Sequence, residues 1–183
     1  MGFRQHCAAR ADLGTLAYSN PFLRALFRPQ KKAPMKFSEY LDPSLVTLLD
    51  ATSRDEAIDT LIHLLEGEKK LPNKALFRKA IFHREDLVST GIGMGVAIPH
   101  AKMDGLSDFF IAIGIQQKKG LEWNALDKAP VRLIFMIGGP ENKQTEYLKI
   151  LSQLTSAIRE VELRKALLQA TSKEDVLKLF SPF

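Results

Sequence analysis

Two apolar runs lie in the middle of the chain, residues 109–115 (FFIAIGI) and 131–137 (VRLIFMI), with helical patterns before and after them. No other feature limits the fold as much. Both runs are rich in Ile, Phe and Val and read as strands, the second ended by Gly138-Gly-Pro140. Shorter strands are expected at 45–49 (LVTLL) and at 96–98 (VAI), where Pro99 stops the run. Strands interspersed with helices predict a layered α/β domain with helices on both faces of a sheet. It should occupy residues 35–183 as a single domain.

The helices have their own signals. Ser53 and Glu56 form a capping box, after which Ala57, Ile58, Leu61, Ile62 and Leu65 share one face. A second helix is expected from Lys74 to about His83, with Leu76, Ala80 and Ile81 on its apolar side. A third should run from Glu146 to Ile158 with Leu148, Leu151 and Leu154 on one side. Residues 161–170 and 173–179 close the chain as helices, the last entered through Thr171 and Glu174 as a capping box.

Residues 1–34 lack such patterning. They read as a flexible basic extension, ahead of a translation start expected at Met35; an organelle-targeting peptide is the rival reading, because the segment is rich in Arg and poor in acids. Six basic residues against Asp12 alone account there for the whole net charge of +5. The remainder is balanced, so it lacks the electrostatic footprint of a nucleic-acid partner. No apolar run is long enough for membrane insertion. Cys7 is the single cysteine, which excludes an intrachain disulfide and fits a reducing, cytoplasmic setting.

Chemistry concentrates between Arg84 and His100. STGIGMG at 89–95 is a glycine-rich loop whose backbone amides could converge on an anion, with Ser89 and Thr90 adding hydroxyl donors. The strand after it delivers His100, and a neutral imidazole is a competent nucleophile at physiological pH. Arg84 could offer a bidentate cation to phosphate oxygens. These parts suit a phosphoryl group that arrives in line, is cradled and leaves, a reaction that asks mainly for positioning and charge stabilisation. No metal or cofactor is expected: there is no HExxH helix, no Walker lysine, and the glycines at 91, 93 and 95 miss the G-x-G-x-x-G spacing.

The ordered stretch STGIGMGVAIPH at 89–100 resembles the active-site signature of the fructose/mannitol-type enzyme IIA family of the sugar phosphotransferase system, which includes nitrogen-regulatory phosphocarriers. The resemblance covers roughly residues 36–181. It implies a mixed sheet sandwiched between helices, with His100 as the phosphorylated residue and Arg84, Ser89 and Thr90 as its polar support. It implies an HPr-type phosphohistidine carrier as donor. The acceptor would be a IIB component in the sugar branch, or regulatory target proteins in the other. Many relatives carry a second histidine where this chain has Tyr147, which can donate a hydrogen bond but does not titrate near pH 7.

Each residue also has a plainer reading. Arg84 could be a cation at a helix C-terminus, Ser89 and Thr90 turn residues, and Tyr147 packing. His63 and His83 read as structural, Trp123 as packing at a loop, and Lys102 as a solvated lysine. Two function classes follow: a phosphoryl-transfer component with a phosphohistidine intermediate, and a regulatory module whose output is docking to transporters or regulators. A metal or nucleotide enzyme has no motif behind it.

Overall fold

A computed structural model describes residues 36–183. The expectations for residues 1–34 and for a start at Met35 lie outside the described residues. A short 3-10 turn, Phe37–Tyr40, leads into strand β1, Leu41–Leu49. Helices α1 (Arg54–Gly67) and α2 (Lys74–Leu87) follow, then the short strands β2 (Gly91–Gly93), β3 (Val96–Ala97) and β4 (His100–Met103). Strands β5 (Phe110–Gln116) and β6 (Leu133–Pro140) precede three helices: α3 (Gln144–Arg159), α4 (Val161–Gln169) and α5 (Lys173–Leu179).

The sheet is mixed, in the order β1-β5-β6-β3-β2, with β4 also pairing β6. β1 runs parallel to β5, and β5 antiparallel to β6. β3 and β4 share one edge of β6 and run parallel to it, β3 opposite Leu133 and Ile134, β4 opposite Ile137 to Pro140. Every residue of β5 and β6 is buried, because helices cover both faces. On one face Phe110 meets Phe77 of α2, ring centroids 5.7 Å apart; on the other Phe135 meets Phe180, just after α5, edge-on at 6.1 Å. The layered α/β architecture expected from the sequence is the observed one.

Several local expectations need correction. Gly138 and Gly139 do not end β6; the strand runs through them to Pro140. Their role is to seat rings: a Cβ on Gly138 would collide with Phe110, and one on Gly139 with Phe109. α2 continues past His83 to Leu87 and buries Phe77, Ile81 and Glu85, leaving Leu76 55% exposed. α3 buries Tyr147, Ile150, Leu154, Ala157 and Ile158, while Leu148 is 52% exposed. In both helices apolar residues lie on more than one side, and Phe77 in α2 and Tyr147 in α3 mark the inward stripe. The cap of α5 is Ser172, not Thr171: its hydroxyl accepts from the Asp175 amide at 3.1 Å. α1 matches in full. Ser53 accepts from the Glu56 amide at 3.2 Å, and Glu56 reaches back to the Thr52 amide at 2.7 Å.

Candidate functional site

β4 begins at His100, directly after Pro99. Proline has no N–H to give a ladder, so it parts β3 from β4 along the edge of β6. The Ile98 carbonyl, lying between the two strands, stands 2.7 Å from His100 Nδ1. On the ring's other side Arg84 Nε donates to His100 Nε2 at 3.0 Å. An arginine N–H can only donate, so Nε2 must carry the lone pair and Nδ1 the proton. Burial lowers the proton affinity of the half-buried ring below the ordinary histidine value; the Ile98 carbonyl opposes that, the Arg84 charge reinforces it and Glu85 opposes it. The result is a neutral imidazole with its free electron pair on Nε2, beside a cation.

Arg84 sits in the last turn of α2, where its guanidinium also donates to the Val88 carbonyl at 2.8 Å. It is therefore both a cation at a helix C-terminus and a partner of His100.

The loop after α2 departs from the expected anion cradle. Thr90 is buried, and Glu85, only 3% exposed, occupies the place next to it. The Thr90 amide donates to one Glu85 carboxylate oxygen at 3.0 Å and its hydroxyl to the other at 2.5 Å. Trp123 Nε1 then donates to the Thr90 hydroxyl at 3.2 Å. Ser89 gives its hydroxyl hydrogen to the Trp123 carbonyl and accepts from the Gly91 amide at 3.1 Å. The Met94 amide donates to Asp127 at 2.8 Å. Carboxylates and hydroxyls of the chain itself hold these donors, so Ser89, Thr90 and the amides of 90, 91 and 94 do not face His100 as free groups.

What they build is a hairpin. Residues 91–93 pair with 96 and 97 across a two-residue turn in which Met94 (φ 59°) and Gly95 (φ 74°) are both left-handed. Thr90 still reaches His100, through the backbone: its carbonyl accepts from the Ile98 amide at 3.0 Å, and the Ile98 carbonyl binds the ring. Glu85 and Asp127 are thus site residues that sequence reasoning missed. Asp127 lies 33 positions from its partner, and no local pattern marks such a contact.

Tyr147, in the first turn of α3, comes to the other flank. Its ring centroid is 5.8 Å from that of His100, it is 6% exposed, and its hydroxyl has no hydrogen-bond partner among the described residues. Burial pushes the phenol up to about 12, with Arg84 pulling the other way. Lys102 is not simply solvated: its ammonium binds the Gln144 side chain at the start of α3 and lies 5.7 Å from the Tyr147 ring. Trp123 is buried packing, as expected, with the added indole bond. His63 and His83 are exposed and lie outside the site; His63 Nδ1 is 2.9 Å from Lys74 Nζ. Among the described residues no group of His, Cys, Asp and Glu could hold a metal ion, and no helix is long and apolar enough to cross a membrane.

The rim is apolar. Val88, Ile92, Met94 and Leu126 are exposed on the segments that the Arg84, Ser89 and Asp127 bonds draw together.

Comparison with known proteins gives a consistent set of likenesses. The family model described as "Phosphoenolpyruvate-dependent sugar phosphotransferase system, EIIA 2" matches residues 39–182. A fructose-specific EIIABC component of Bacillus subtilis is 34% identical over 148 residues, 80% of this chain; the match spans only 23% of that protein's length. A fructose-specific EIIA component of Haloferax volcanii is 32% identical, over 74% of this chain and 92% of its own. The crystal structure of a nitrogen regulatory protein IIA-Ntr from Neisseria meningitidis superposes with a TM-score of 0.73 at 32% identity, covering 79% of this chain and 98% of that one.

Proposed function

Because the chain belongs to the phosphoenolpyruvate-dependent sugar phosphotransferase system EIIA 2 family, we propose that His100 accepts a phosphoryl group on Nε2 from a phosphohistidine carrier of the HPr type and passes it to a IIB component in sugar uptake. The phosphotransferase-system role is the family's. The residues, the intermediate and the partners are the proposal.

The observation that carries it is the pair of bonds on one ring. Ile98 holds the Nδ1 proton at 2.7 Å, which leaves the Nε2 pair available, and Arg84 waits 3.0 Å from that atom. The Nε2 pair attacks phosphorus as the P–N bond of the donor breaks and its electrons return to the donor's ring. The Nδ1 proton stays on His100. Arg84 moves its N–H from Nε2 to a phosphoryl oxygen, where it balances the transferred charge. The reverse sequence hands the group on. Thr90 and Ser89 support the phosphoryl group indirectly, by holding the loop that carries Ile98. The exposed Val88, Ile92, Met94 and Leu126 give the partner proteins an apolar surface to dock on, and the reaction takes place in the cytoplasm.

His100→Ala is expected to abolish incorporation of label from phosphoenolpyruvate through an HPr-type carrier. Full labelling of that variant would overturn the assignment.

A second reading is regulatory. In it the phosphorylation state controls binding to transporters or regulators. The likeness to a IIA-Ntr protein over 98% of its length favours it as much as the fructose relatives favour transport. Adding a IIB component and sugar to the labelled chain separates the two. Loss of label with sugar turnover supports transport, while stable label with a captured regulator supports signalling.

A further inference from the structure

We propose that the hydroxyl of Tyr147 is a binding group for the phosphoryl group on His100, donating a hydrogen bond to one of its oxygens while Arg84 engages another. This rests on His100 being the acceptor, and adds a residue to that site.

The case begins with an orphan. Tyr147 is 6% exposed, yet its hydroxyl has no partner among the described residues. Buried polar atoms in native proteins are nearly always paired, and one that is not asks for an explanation. Packing alone does not supply one. The ring stacks on Phe109 at 6.4 Å and lies 5.8 Å from His100, and phenylalanine would make the same contacts. The position of the hydroxyl does supply one. The charge of Arg84 acts on the phenol oxygen, and the same guanidinium donates to His100 Nε2. The His100 and Tyr147 ring centroids are 5.8 Å apart and Arg84 Nε is 3.0 Å from Nε2, which sets phenol, guanidinium and Nε2 in one neighbourhood. In the unphosphorylated chain that space holds two donors, Arg84 and Tyr147, and a single lone pair. Transfer onto Nε2 introduces three acceptor oxygens there, and the surplus donor gains a partner.

The arrangement also explains the neighbours. Tyr147 lies in the first turn of α3, whose amides favour negative charge. Lys102, bound to Gln144 in that same turn, faces the Tyr147 ring. The elements packed around the hydroxyl thus bring positive character to it, while burial keeps the phenol protonated through the physiological range. A histidine in its place would gain or lose a proton near neutral pH.

The test compares the parent with Tyr147→Phe, labelled from phosphoenolpyruvate through an HPr-type carrier. The variant is expected to fold with an unchanged or higher melting temperature and to be labelled on His100. Its phosphorylated fraction at equilibrium with the carrier should fall about tenfold, the size of a lost hydrogen bond to a charged group. The 31P resonance of its phosphohistidine should move from the parent's position. Equal phosphorylated fractions and equal 31P shifts would overturn the proposal. Failure of the underlying reading looks different: either the parent takes no label, or His100→Ala keeps it. In Tyr147→His the phosphorylated fraction is expected to become pH-dependent between about 6 and 7, the titration range of an imidazole. A pH response no different from the parent's would count against the proposal.

Discussion

His100 owes its readiness to what surrounds it rather than to what it is. Burial is the largest influence on its ring and lowers its proton affinity, and the net shift is downward. Between the folded-state value and the ordinary 6.5, the unfolded chain thus binds more protons here than the folded chain. The stability contributed by keeping this ring neutral is intact above 6.5 and is lost as pH falls through that window. An NMR titration of the His100 ring is therefore expected to inflect below 6.5, and His100→Gln should lose less stability than the parent over the same interval. An inflection at or above 6.5 would refute this. At this scale part of the candidate site's geometry was legible. Arg84 and His100 stand 16 positions apart within one ordered motif, and the chemistry of both is readable from residue type. Thr90 and Ser89 lie on the expected loop, and their hydroxyls are engaged by Glu85 and the Trp123 carbonyl. The carboxylate that claims Thr90 is Glu85, a residue whose burial on α2 is invisible until the inward face of that helix is known.

Among the elements, α1 shows what periodicity can deliver. Ala57, Ile58, Leu61, Ile62 and Leu65 fall on one stripe and all five are buried, with only Leu64 among its apolar residues outside that stripe and half-buried. α2 and α3 resist the same reading because their apolar residues are spread over more than one side, so a stripe through Leu76 or Leu148 looks as good as the true one. What decides is the aromatic residue that must be housed, Phe77 in one and Tyr147 in the other. Glycine misleads in a similar way. A Gly-Gly-Pro run reads as the end of a strand, yet in β6 the two glycines are the flat ground on which Phe110 and Phe109 rest, on opposite faces. Gly138→Ala is expected to destabilise the fold by about 1–3 kcal/mol, the usual cost of overpacking a filled core. Urea unfolding measures this, and a midpoint equal to the parent's would show that the Phe110 ring has somewhere else to go.

For the molecule as a whole, the layered arrangement was readable because strands and helices alternate, but the strand order was not. β6 comes last in the chain and lies inside the sheet, with β5 on one side and both β3 and β4 on the other. Nothing local in residues 133–140 specifies three partners. They are set by the need to cover a strand whose every residue is buried. Phe135 ties that strand to the C-terminal helices through Phe180, which also meets Phe37 edge-on at 5.7 Å. Phe135→Ala is expected to cost about 3–5 kcal/mol, as deletion of a buried aromatic ring does. It should also loosen amide-exchange protection in α5 before it affects α1, on the opposite face. Equal loss of protection in both helices would show that the two layers do not unfold separately.

The break that Pro99 makes between β3 and β4 has a chemical consequence. It sets the Ile98 carbonyl against one nitrogen of a ring that has two, and so leaves a single ring nitrogen with a free electron pair. With the pros nitrogen capped, the phosphorylation proposed for His100 would be regioselective for the tele position, the Ile98 carbonyl serving in effect as a protecting group.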